Sequence, residues 1–314
     1  MKTIYLGKDH INKKPCFATV GFFDGVHRGH RFLIGHLMED ARKEGVASTV
    51  VTFDKHPRQV LHSDYQPKLL TTFEEKRALL EATGVDNCVV LPFSEEMAAL
   101  SARDFMQHVL KEQLGVDTVY IGYDNRFGHN RAEGFDDYAA YGREVGMNVV
   151  HEQAFVLNGV NVSSTVVRNY LQQGEVELAE QCLGYPYFLQ GKVVAGFQEG
   201  RRIGFPTANL QPEEPEKLIP APGVYAVLAQ VEGEPENRQA MMNIGTRPTY
   251  GGCDMSMEVH ILHFSEEIYR KNLTVKWIHR LRAEKKFPSP TVLSEQLKED
   301  MRMVEEQFER DARR

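Results

Sequence analysis

The sequence lacks several features that would each indicate a particular class of protein. Its four cysteines, Cys16, Cys88, Cys182 and Cys253, form no CxxC pair, which argues against a zinc site or a thioredoxin-like motif and fits a reducing compartment. No apolar run reaches the 18 residues of a transmembrane helix, and the opening MKTIYLGKDH lacks the apolar segment of a signal peptide. We therefore expect a cytoplasmic protein with no membrane partner.

The chain also lacks a basic excess, because its formal net charge is −7. A general nucleic-acid surface needs a basic footprint, so we expect no nucleic-acid partner. Anionic nucleotides stay possible, since a few local cations and backbone N–H groups can hold a phosphate. There is neither a GxxxxGK[ST] loop nor a GxGxxG after the first strand, so a nucleotide would have to be held in another way.

The first 150 residues show strand–helix alternation. Five runs rich in Val, Ile, Thr and aromatic residues are predicted strands, at residues 16–23, 46–53, 87–93, 118–123 and 148–153. Helix-like stretches between them, at 31–45 and 72–84, end near glycine. This alternation predicts an α/β fold with a doubly wound parallel sheet and helices on both faces.

After Gly184 the pattern changes to six strand-like runs split by turns, between Tyr185 and Arg282. Several short strands at even spacing predict an antiparallel barrel or a sandwich, and a polar helix follows the Pro-Ser-Pro at 288–290. A chain of 314 residues accommodates two domains. We therefore expect an α/β domain over residues 1–184 and a β-rich domain over residues 185–314.

The strongest chemical signal is GFFDGVHRGH, residues 21–30, which we call the histidine turn. Gly21 and Gly25 allow the backbone to approach an anionic ligand, and the helix that follows presents free N–H groups. His27 and His30 share one helical face, from which two imidazoles could donate hydrogen bonds to phosphate oxygens. An isolated HxxH pair could equally be two surface histidines, but the preceding strand and turn favour phosphate. The candidate phosphate-binding residues of the turn are Gly21, Phe22, Phe23, Asp24 and Gly25.

A second motif is SSTVVR, residues 163–168. Ser163 and Ser164 are natural helix caps, and Arg168 falls on the first turns of the helix that they open. Hydroxyls, free N–H groups and a guanidinium together can clamp a triphosphate, although serine before a helix is often only a cap.

A third motif, GYDNRFGHNR at residues 122–131, follows a predicted strand at the carboxyl edge of the sheet, where open α/β sheets bind ligands. Asp124 could hold a flavin or ribose group there, or it could be an ordinary turn aspartate.

In the β-rich half, GRRIGFPTANL at residues 200–210 carries the most specific pattern. Thr207 and Asn209 lie two apart on a predicted strand and point to one face, where their oxygens could bind Mg²⁺. Glu258 alternates with apolar residues on a later strand, and a carboxylate beside a bound phosphate can accept a proton from a hydroxyl. Taken alone, each could be an ordinary strand residue.

In their order, GFFDGVHRGH, GYDNRFG and SSTVVR resemble the nucleotidyltransferase half of the bacterial bifunctional riboflavin kinase/FMN adenylyltransferase family. The resemblance implies that the FMN phosphate attacks the α-phosphorus of ATP and that pyrophosphate leaves. It implies transition-state stabilisation by the two histidines and phosphate binding by Ser164, Thr165 and Arg168. The chain departs from the family at Asn125, where an aromatic residue is common.

In the second half, GRRIGFPTANL, PAPGVY, NIGTRPT and the EVH strand resemble the riboflavin kinase family. The resemblance implies a six-stranded barrel and a terminal helix, with the riboflavin 5′-hydroxyl attacking the γ-phosphate of ATP. Glu258 matches the catalytic base, and Thr207 and Asn209 match the positions that hold Mg²⁺ and phosphate. The remaining implied residues are Gly204 and Pro206 for ATP and Asp124, Asn125 and Arg247 for the flavin.

The expected function is therefore two ATP-dependent steps, from riboflavin to FMN and from FMN to FAD. Two alternatives stay open at this point. The first half could adenylylate another phosphate compound, or the chain could bind flavin or nucleotide without catalysis. The second alternative is opposed by the reactive side chains at His27, His30, Thr207, Asn209 and Glu258.

Overall fold

A computed structural model describes residues 1–11, 13–55, 67–123, 125–129, 133–196, 199–249 and 252–313. For residues 199, 247–249 and 252–254 it describes the backbone alone. The chain forms two compact units, Met1–Ser164 and Thr165–Arg314.

The first unit is built on a six-stranded parallel sheet in the order β1-β4-β3-β2-β5-β6. Its strands are β1 (Lys2–Tyr5), β2 (Cys16–Val20), β3 (Ala47–Phe53), β4 (Asn87–Leu91), β5 (Val116–Ile121) and β6 (Asn148–His151). The doubly wound parallel sheet predicted from the alternation is confirmed. The five predicted strands are present, and β1 is a strand that the sequence analysis did not predict.

Helices and one hairpin complete this unit. They are α1 (Arg28–Glu44), α2 (Phe73–Glu81), α3 (Glu95–Ala99), α4 (Ala102–Asp104, running on as π-helical turns over Phe105–Gln113), α5 (Phe135–Val145) and the hairpin of β7 (Val156–Leu157) and β8 (Val160–Asn161). Local chemistry sets the ends of these helices. Thr72 and Glu75 form a capping box before α2, and Gly45 ends α1 in the left-handed conformation at φ 66°.

Each face of the sheet packs against its own apolar core, because successive side chains of a strand alternate in direction. Along β3, Val51 and Phe53 enter one cluster and Val50 enters the other. The first cluster includes Phe105 and Leu110, whereas the second includes residues of α1 such as Leu37. This arrangement explains why the strands read as nearly continuous apolar runs.

The strand order reverses between β2 and β5, since the chain builds outward from β2 through β3 and β4 and then returns to the other side at β5. In open α/β sheets the crevice beyond the carboxyl ends of the strands at such a reversal is where ligands bind. Here that edge carries the residues that follow Val20 and Ile121.

The second unit is a closed six-stranded antiparallel barrel in the order β10-β13-β12-β11-β14-β9. The six-stranded antiparallel barrel that the family resemblance implied is confirmed, and so is the terminal helix. The elements are α6 (Ser164–Gln173), α7 (Val176–Leu183), β9 (Phe188–Val194), α8 (Glu199–Arg202), β10 (Ala208–Pro212), β11 (Gly223–Val231), β12 (Arg238–Thr249), β13 (Gly252–Ile261), β14 (Asn272–Arg282) and α9 (Pro290–Ala312).

Inward-facing apolar side chains fill the barrel. Trp277, the single tryptophan of the chain, is fully buried and its ring lies 5.6 Å from that of Tyr187. Closure removes exposed strand edges, so residues on β10 and β13 are held at a fixed register. Over the residues that the structure describes, no helix is both long and apolar enough to cross a membrane.

Candidate active sites

The histidine turn departs from ordinary backbone geometry. Phe23 and Val26 have positive φ angles of 55° and 36°, and Gly25 lies between them at 77°. Left-handed conformations at non-glycine residues cost free energy and persist only where surrounding contacts fix them. Both side chains are buried, which supplies those contacts.

The Asp24 carboxylate fixes this turn from inside the protein. It is 3% exposed and accepts the N–H groups of Leu70 and Thr71 at 3.0 Å. The Thr71 hydroxyl in turn accepts the N–H of Gly25 at 3.1 Å. Asp24 thus has a structural role through its carboxylate, and its predicted contact with phosphate stays a prediction.

The two histidines of the turn form one unit. The N–H of His30 donates to His27 Nδ1 at 3.3 Å, so His27 caps α1 through its side chain. Because Nδ1 accepts, the ring proton of neutral His27 lies on Nε2, which can donate to a ligand. The ring of Phe23 meets His30 edge-on with centroids 5.1 Å apart.

His30 is held in its neutral form. Burial, followed by the nearby His27 and Lys76, lowers the pKa of His30 well below its usual value of 6.5. Its Nδ1 is buried and finds no hydrogen-bond partner within the described part of the chain. A neutral imidazole with an uncommitted buried nitrogen is poised to interact with a ligand.

Ser164 brings the second predicted motif to the histidine turn. Its hydroxyl donates to the backbone oxygen of Asp24 at 2.9 Å. Gly29 of the same turn also lies close to the segment before Ser164, since a Cβ there would be 3.0 Å from the backbone oxygen of Val162. Ser163 directly precedes α6, and Thr165 and Arg168 follow on the helix within the second unit.

Asn125 connects the third motif to the same edge of the sheet. Its side-chain amide donates to the backbone oxygen of Val20, at the end of β2. The two strand ends at the topological reversal are therefore joined by a side chain. Asp124, the predicted flavin contact beside it, lies outside the described residues.

Lys76 on α2 is a buried charge that the sequence analysis missed. Its ammonium donates to Phe22 O at 3.1 Å and lies 4.0 Å from the centroid of the Phe22 ring. Burial lowers its pKa to about 8. The available signal was its helical position, because Lys76 stands four residues before Leu80 on the buried face.

In the barrel, three predicted side chains come together, and we call Thr207, Asn209 and Glu258 the kinase cluster. Glu258 on β13 pairs with Asn209 on β10, and the Thr207 hydroxyl donates to Glu258 Oε2 at 3.4 Å. On its other side Glu258 pairs with Asn243 of β12. The cluster thus places one carboxylate among hydroxyl and amide groups.

Glycines allow the backbone to pass close to the residues of this cluster. A Cβ at Gly196 would fall 2.1 Å from Asn209 Nδ2, and one at Gly200 would fall 2.3 Å from Phe205 O. Gly204 adopts a left-handed φ of 88° before the Phe-Pro-Thr segment. A side chain at Gly196 would displace the Asn209 amide of the cluster, one at Gly200 would displace the Phe205 carbonyl, and one at Gly204 would be strained by the left-handed backbone.

His260 supports the segment from the neighbouring strand. Its Nδ1–H donates to Pro206 O at 2.8 Å, and burial lowers the pKa of His260, which favours the neutral ring.

Pro206 and Thr207 also line a cavity of about 270 Å³. Its other lining residues include Val193, Arg201, Val259, Phe264, Ile268 and Tyr269. Arg247, the predicted flavin contact on β12, is described by its backbone alone.

Two family models match different parts of the chain. A family model described as FAD synthetase matches residues 9–166, and one described as riboflavin kinase matches residues 183–308. Bifunctional riboflavin kinase/FMN adenylyltransferases from Escherichia coli K12 and Bacillus subtilis 168 are 37% and 35% identical to the chain, and each match covers 96% of both sequences. A crystal structure described as a macrolide-efflux protein from Streptococcus pneumoniae superposes with a TM-score of 0.88 at 30% identity, over 97% of this chain and 99% of that one. The chain therefore belongs to the bifunctional riboflavin kinase/FMN adenylyltransferase family, and it makes FAD in two ATP-dependent steps, from riboflavin to FMN and from FMN to FAD.

Proposed function

We propose that the two reactions occur in separate sites, adenylyl transfer at the histidine turn and phosphoryl transfer at the kinase cluster. The observation that carries this assignment is the convergence within each unit: Ser164 bonds the turn at Asp24, and Thr207 bonds Glu258 across two strands. The domains would be residues 1–184 and 185–314.

In the adenylyl-transfer step, an oxygen of the FMN phosphate forms a bond to the α-phosphorus of ATP, and the bond from that phosphorus to the β-phosphate oxygen breaks. The Nε2–H of His27 and the ring of His30 would donate to oxygens on the α-phosphorus as negative charge builds there. Ser163, Ser164, Thr165 and Arg168 would hold the departing pyrophosphate. Positioning and charge stabilisation suffice, so no covalent enzyme intermediate is needed.

The glycines and aromatic residues of the histidine turn would shape the phosphate site. Gly21 and Gly25 would let the backbone of the turn approach the phosphate, with Gly25 at a left-handed φ of 77°, and the N–H groups at the start of α1 would face the same anion. Phe23 and Asp24 are buried and Phe22 is partly buried, and besides their predicted contacts with phosphate they would hold the turn, as the hydrogen bonds of Asp24 indicate. Asp124 and Asn125 are the proposed flavin contacts.

In the phosphoryl-transfer step, the Glu258 carboxylate would accept the proton of the riboflavin 5′-hydroxyl while that oxygen attacks the γ-phosphorus of ATP. Gly204, Pro206 and Thr207 would contact the ATP phosphates, and Arg247 the flavin. The adjoining cavity, whose lining combines apolar side chains with Arg201, Glu266 and Glu267, would hold the rest of the ATP molecule.

The donor set of the kinase cluster fits Mg²⁺. A hydroxyl and an amide oxygen, at Thr207 and Asn209, are the hard oxygen ligands that this ion accepts alongside phosphate oxygens and water. The absence of a side chain at Gly196 leaves the space that the Asn209 amide occupies. When bound, Mg²⁺ would neutralise charge on the transferring phosphate.

The amino-acid composition of the chain supports a cytoplasmic enzyme that has neither a nucleic-acid nor a membrane partner. The net charge of −7 argues against a surface that binds polyanions such as nucleic acids. The buried free cysteines Cys16, Cys88 and Cys182 fit a reducing compartment.

A chromatographic time course that starts from riboflavin, ATP and Mg²⁺ tests the assignment. We expect FMN to rise first and FAD to follow. Glu258→Ala should stop FMN formation and leave conversion of supplied FMN to FAD intact, whereas His30→Ala should do the reverse. Equal loss of both steps in each variant would contradict separate sites.

A further inference from the structure

Lys76 is the one residue on α2 whose charge is directed into the protein toward the histidine turn. The side chain is 2% exposed, and its ammonium donates to Phe22 O, Thr52 Oγ1 and Phe53 O at 3.1–3.2 Å. An ammonium has three N–H groups, so these three contacts use all of them. The acceptors are two backbone oxygens and a hydroxyl, and none of them carries a charge.

These contacts join the turn after β2 to the end of β3. Phe22 belongs to the histidine turn, and Thr52 and Phe53 are the last two residues of β3. The Thr52 hydroxyl also donates to Phe22 O at 3.2 Å, so one backbone oxygen of the turn receives two hydrogen bonds. The carbonyl of Phe22 is therefore fixed two residues before the buried Asp24.

Burying the Lys76 ammonium costs free energy, because the charge is removed from water. Hydrogen bonds to uncharged acceptors offset this desolvation cost only in part. An uncharged polar side chain could make one of these bonds at lower cost. The nearby Asp24 and Asp54 offset this desolvation cost only in part, because the pKa of Lys76 is still lowered to about 8. An anion on the far side of the turn would balance the rest, since a buried charge is screened little by solvent.

We propose that Lys76 is a positioning residue for adenylyl transfer, which fixes the histidine turn through Phe22 O and provides a buried positive charge behind the site of the triphosphate. This inference rests on the proposed role of the histidine turn. It also explains the state of His30, because Lys76 is one of the charges that keep that ring neutral.

The titration of Lys76 makes the inference measurable. Burial lowers its pKa to about 8, against the opposing effect of Asp24, Cys88 and Asp54, and the neighbouring imidazole of His30 faces it as well. The positive charge is thus lost as the pH rises through about 8. The pH–rate profile of adenylyl transfer should then have a descending alkaline limb. The profile of riboflavin phosphorylation by the same chain should have no such limb.

The experiment compares Lys76→Met, Lys76→Arg and the control Lys43→Met in the full-length chain. Methionine keeps the unbranched stem and removes the charge, arginine keeps the charge, and Lys43 is an exposed lysine on α1. For each protein, kcat and KM of FMN adenylylation are measured between pH 6 and 9, with riboflavin phosphorylation as the internal control. The titration of His30 is followed by NMR.

For Lys76→Met we expect adenylyl-transfer kcat/KM to fall by at least about 10-fold, because a displaced turn misaligns the reacting groups. The pKa of His30 should rise, and kinase activity should stay unchanged. Lys76→Arg should retain more activity and move the alkaline limb to higher pH. Lys43→Met should resemble the parent in all three measurements.

A parallel His30→Ala variant separates this inference from the proposed site. If His30→Ala leaves adenylyl transfer intact, the histidine turn is not the site. If His30→Ala abolishes the reaction while Lys76→Met keeps the parental rate and the parental His30 pKa, only the inference about Lys76 is overturned. If Lys76→Met fails to fold, Lys76→Arg decides, since an alkaline limb that does not move would overturn it too.

Discussion

The imidazole rings of His27 and His30 are stacked, with centroids 3.6 Å apart and an angle of 17° between their planes. Two protonated rings at this distance would repel each other, so the pair disfavours double protonation. His30 is the ring with the lowered pKa, for which burial is the largest cause and His27 the second. The stack therefore supplies a neutral ring beside the proposed phosphate site.

We predict that the His30 ring does not titrate between pH 6 and 8. Two-dimensional NMR of the imidazole groups, assigned with a His30→Gln variant, measures this. The unfolded chain binds the proton at about pH 6.5 and the native chain only below that, so His30 lowers the stability as the pH falls through about 6.5. A His30 titration near pH 6.5 would contradict the burial argument.

Gly196→Ala tests the geometry of the kinase cluster. The new methyl group would fall 2.1 Å from Asn209 Nδ2, and the amide must move because it is the more flexible partner. We expect a fold-preserving loss of riboflavin phosphorylation with a higher KM for Mg-ATP, while FMN adenylylation continues. Gly35→Ala on α1 is the matched control, because nothing lies within 4 Å of the added carbon.

Glu258→Gln tests the proton acceptor, since the amide keeps the shape of the side chain but accepts a proton poorly. The loss of general base catalysis should lower kcat of riboflavin phosphorylation by about 10²–10⁴-fold. Glu299→Gln, an exposed carboxylate on α9, should leave the rate unchanged. A full rate in Glu258→Gln would assign the base to another residue.

Periodicity and turn chemistry in the sequence were sufficient to predict the parallel sheet, the β-rich second unit and the terminal helix. They were sufficient because the central strands of the first unit are largely apolar and several are followed directly by glycine or proline, as at Gly21, Pro92 and Gly122. Strand β1 was missed, since Lys2–Tyr5 is a short edge strand with an alternating, partly polar pattern. The strand pattern alone left the choice between barrel and sandwich open, because closure depends on which strands pair at long range, and only the family resemblance implied the barrel.

The site residues were predicted from motifs, but their partners were not. Nothing near Asp24 in the sequence predicts the hydrogen bonds from Leu70 and Thr71, which lie 46 and 47 residues away. The same holds for Lys76, whose three acceptors come from two other segments. Long-range polar contacts follow from the tertiary fold and leave no periodic pattern in the sequence.

His279 should make the stability of the barrel unit depend on pH. Its Nδ1 contacts Glu177 Oε1 at 3.2 Å and its Nε2 contacts Asp311 Oδ2 at 2.8 Å, so both ring nitrogens face carboxylates on α7 and α9. The hydrogen bond with Glu177, opposed by burial and assisted by Asp311, raises the pKa of His279. Because the folded state binds the proton more tightly, this stabilisation is full below about pH 6.5 and is lost as the pH rises through the raised value.

Urea unfolding of the full-length chain at several pH values, followed by the fluorescence of Trp277, measures this dependence. We expect the difference in the free energy of unfolding between the parent and His279→Gln to shrink as the pH rises from 6 to 9, because the opposite contributions of His30 and His260 are common to both proteins. The nearby Glu180 and Gln307 remain unchanged in that variant, so the difference isolates the imidazole. Parallel curves for the two proteins would refute the prediction.

Asp300 and Arg282 form a largely buried ion pair whose loss should strongly destabilise the barrel unit. Asp300 is fully buried and receives two hydrogen bonds from the Arg282 guanidinium, at 2.9 and 2.7 Å, and a third from Gln296 at 2.9 Å. Asp300→Ala leaves a largely buried guanidinium without its carboxylate, and we expect a loss of about 3–5 kcal/mol in the free energy of unfolding. The control is Glu309→Ala, whose exposed partner Arg313 directly follows the end of α9, and this substitution should cost no more than about 0.5 kcal/mol. Similar losses in the two variants, measured by Trp277 fluorescence, would show that burial does not set the strength of the Asp300 pair.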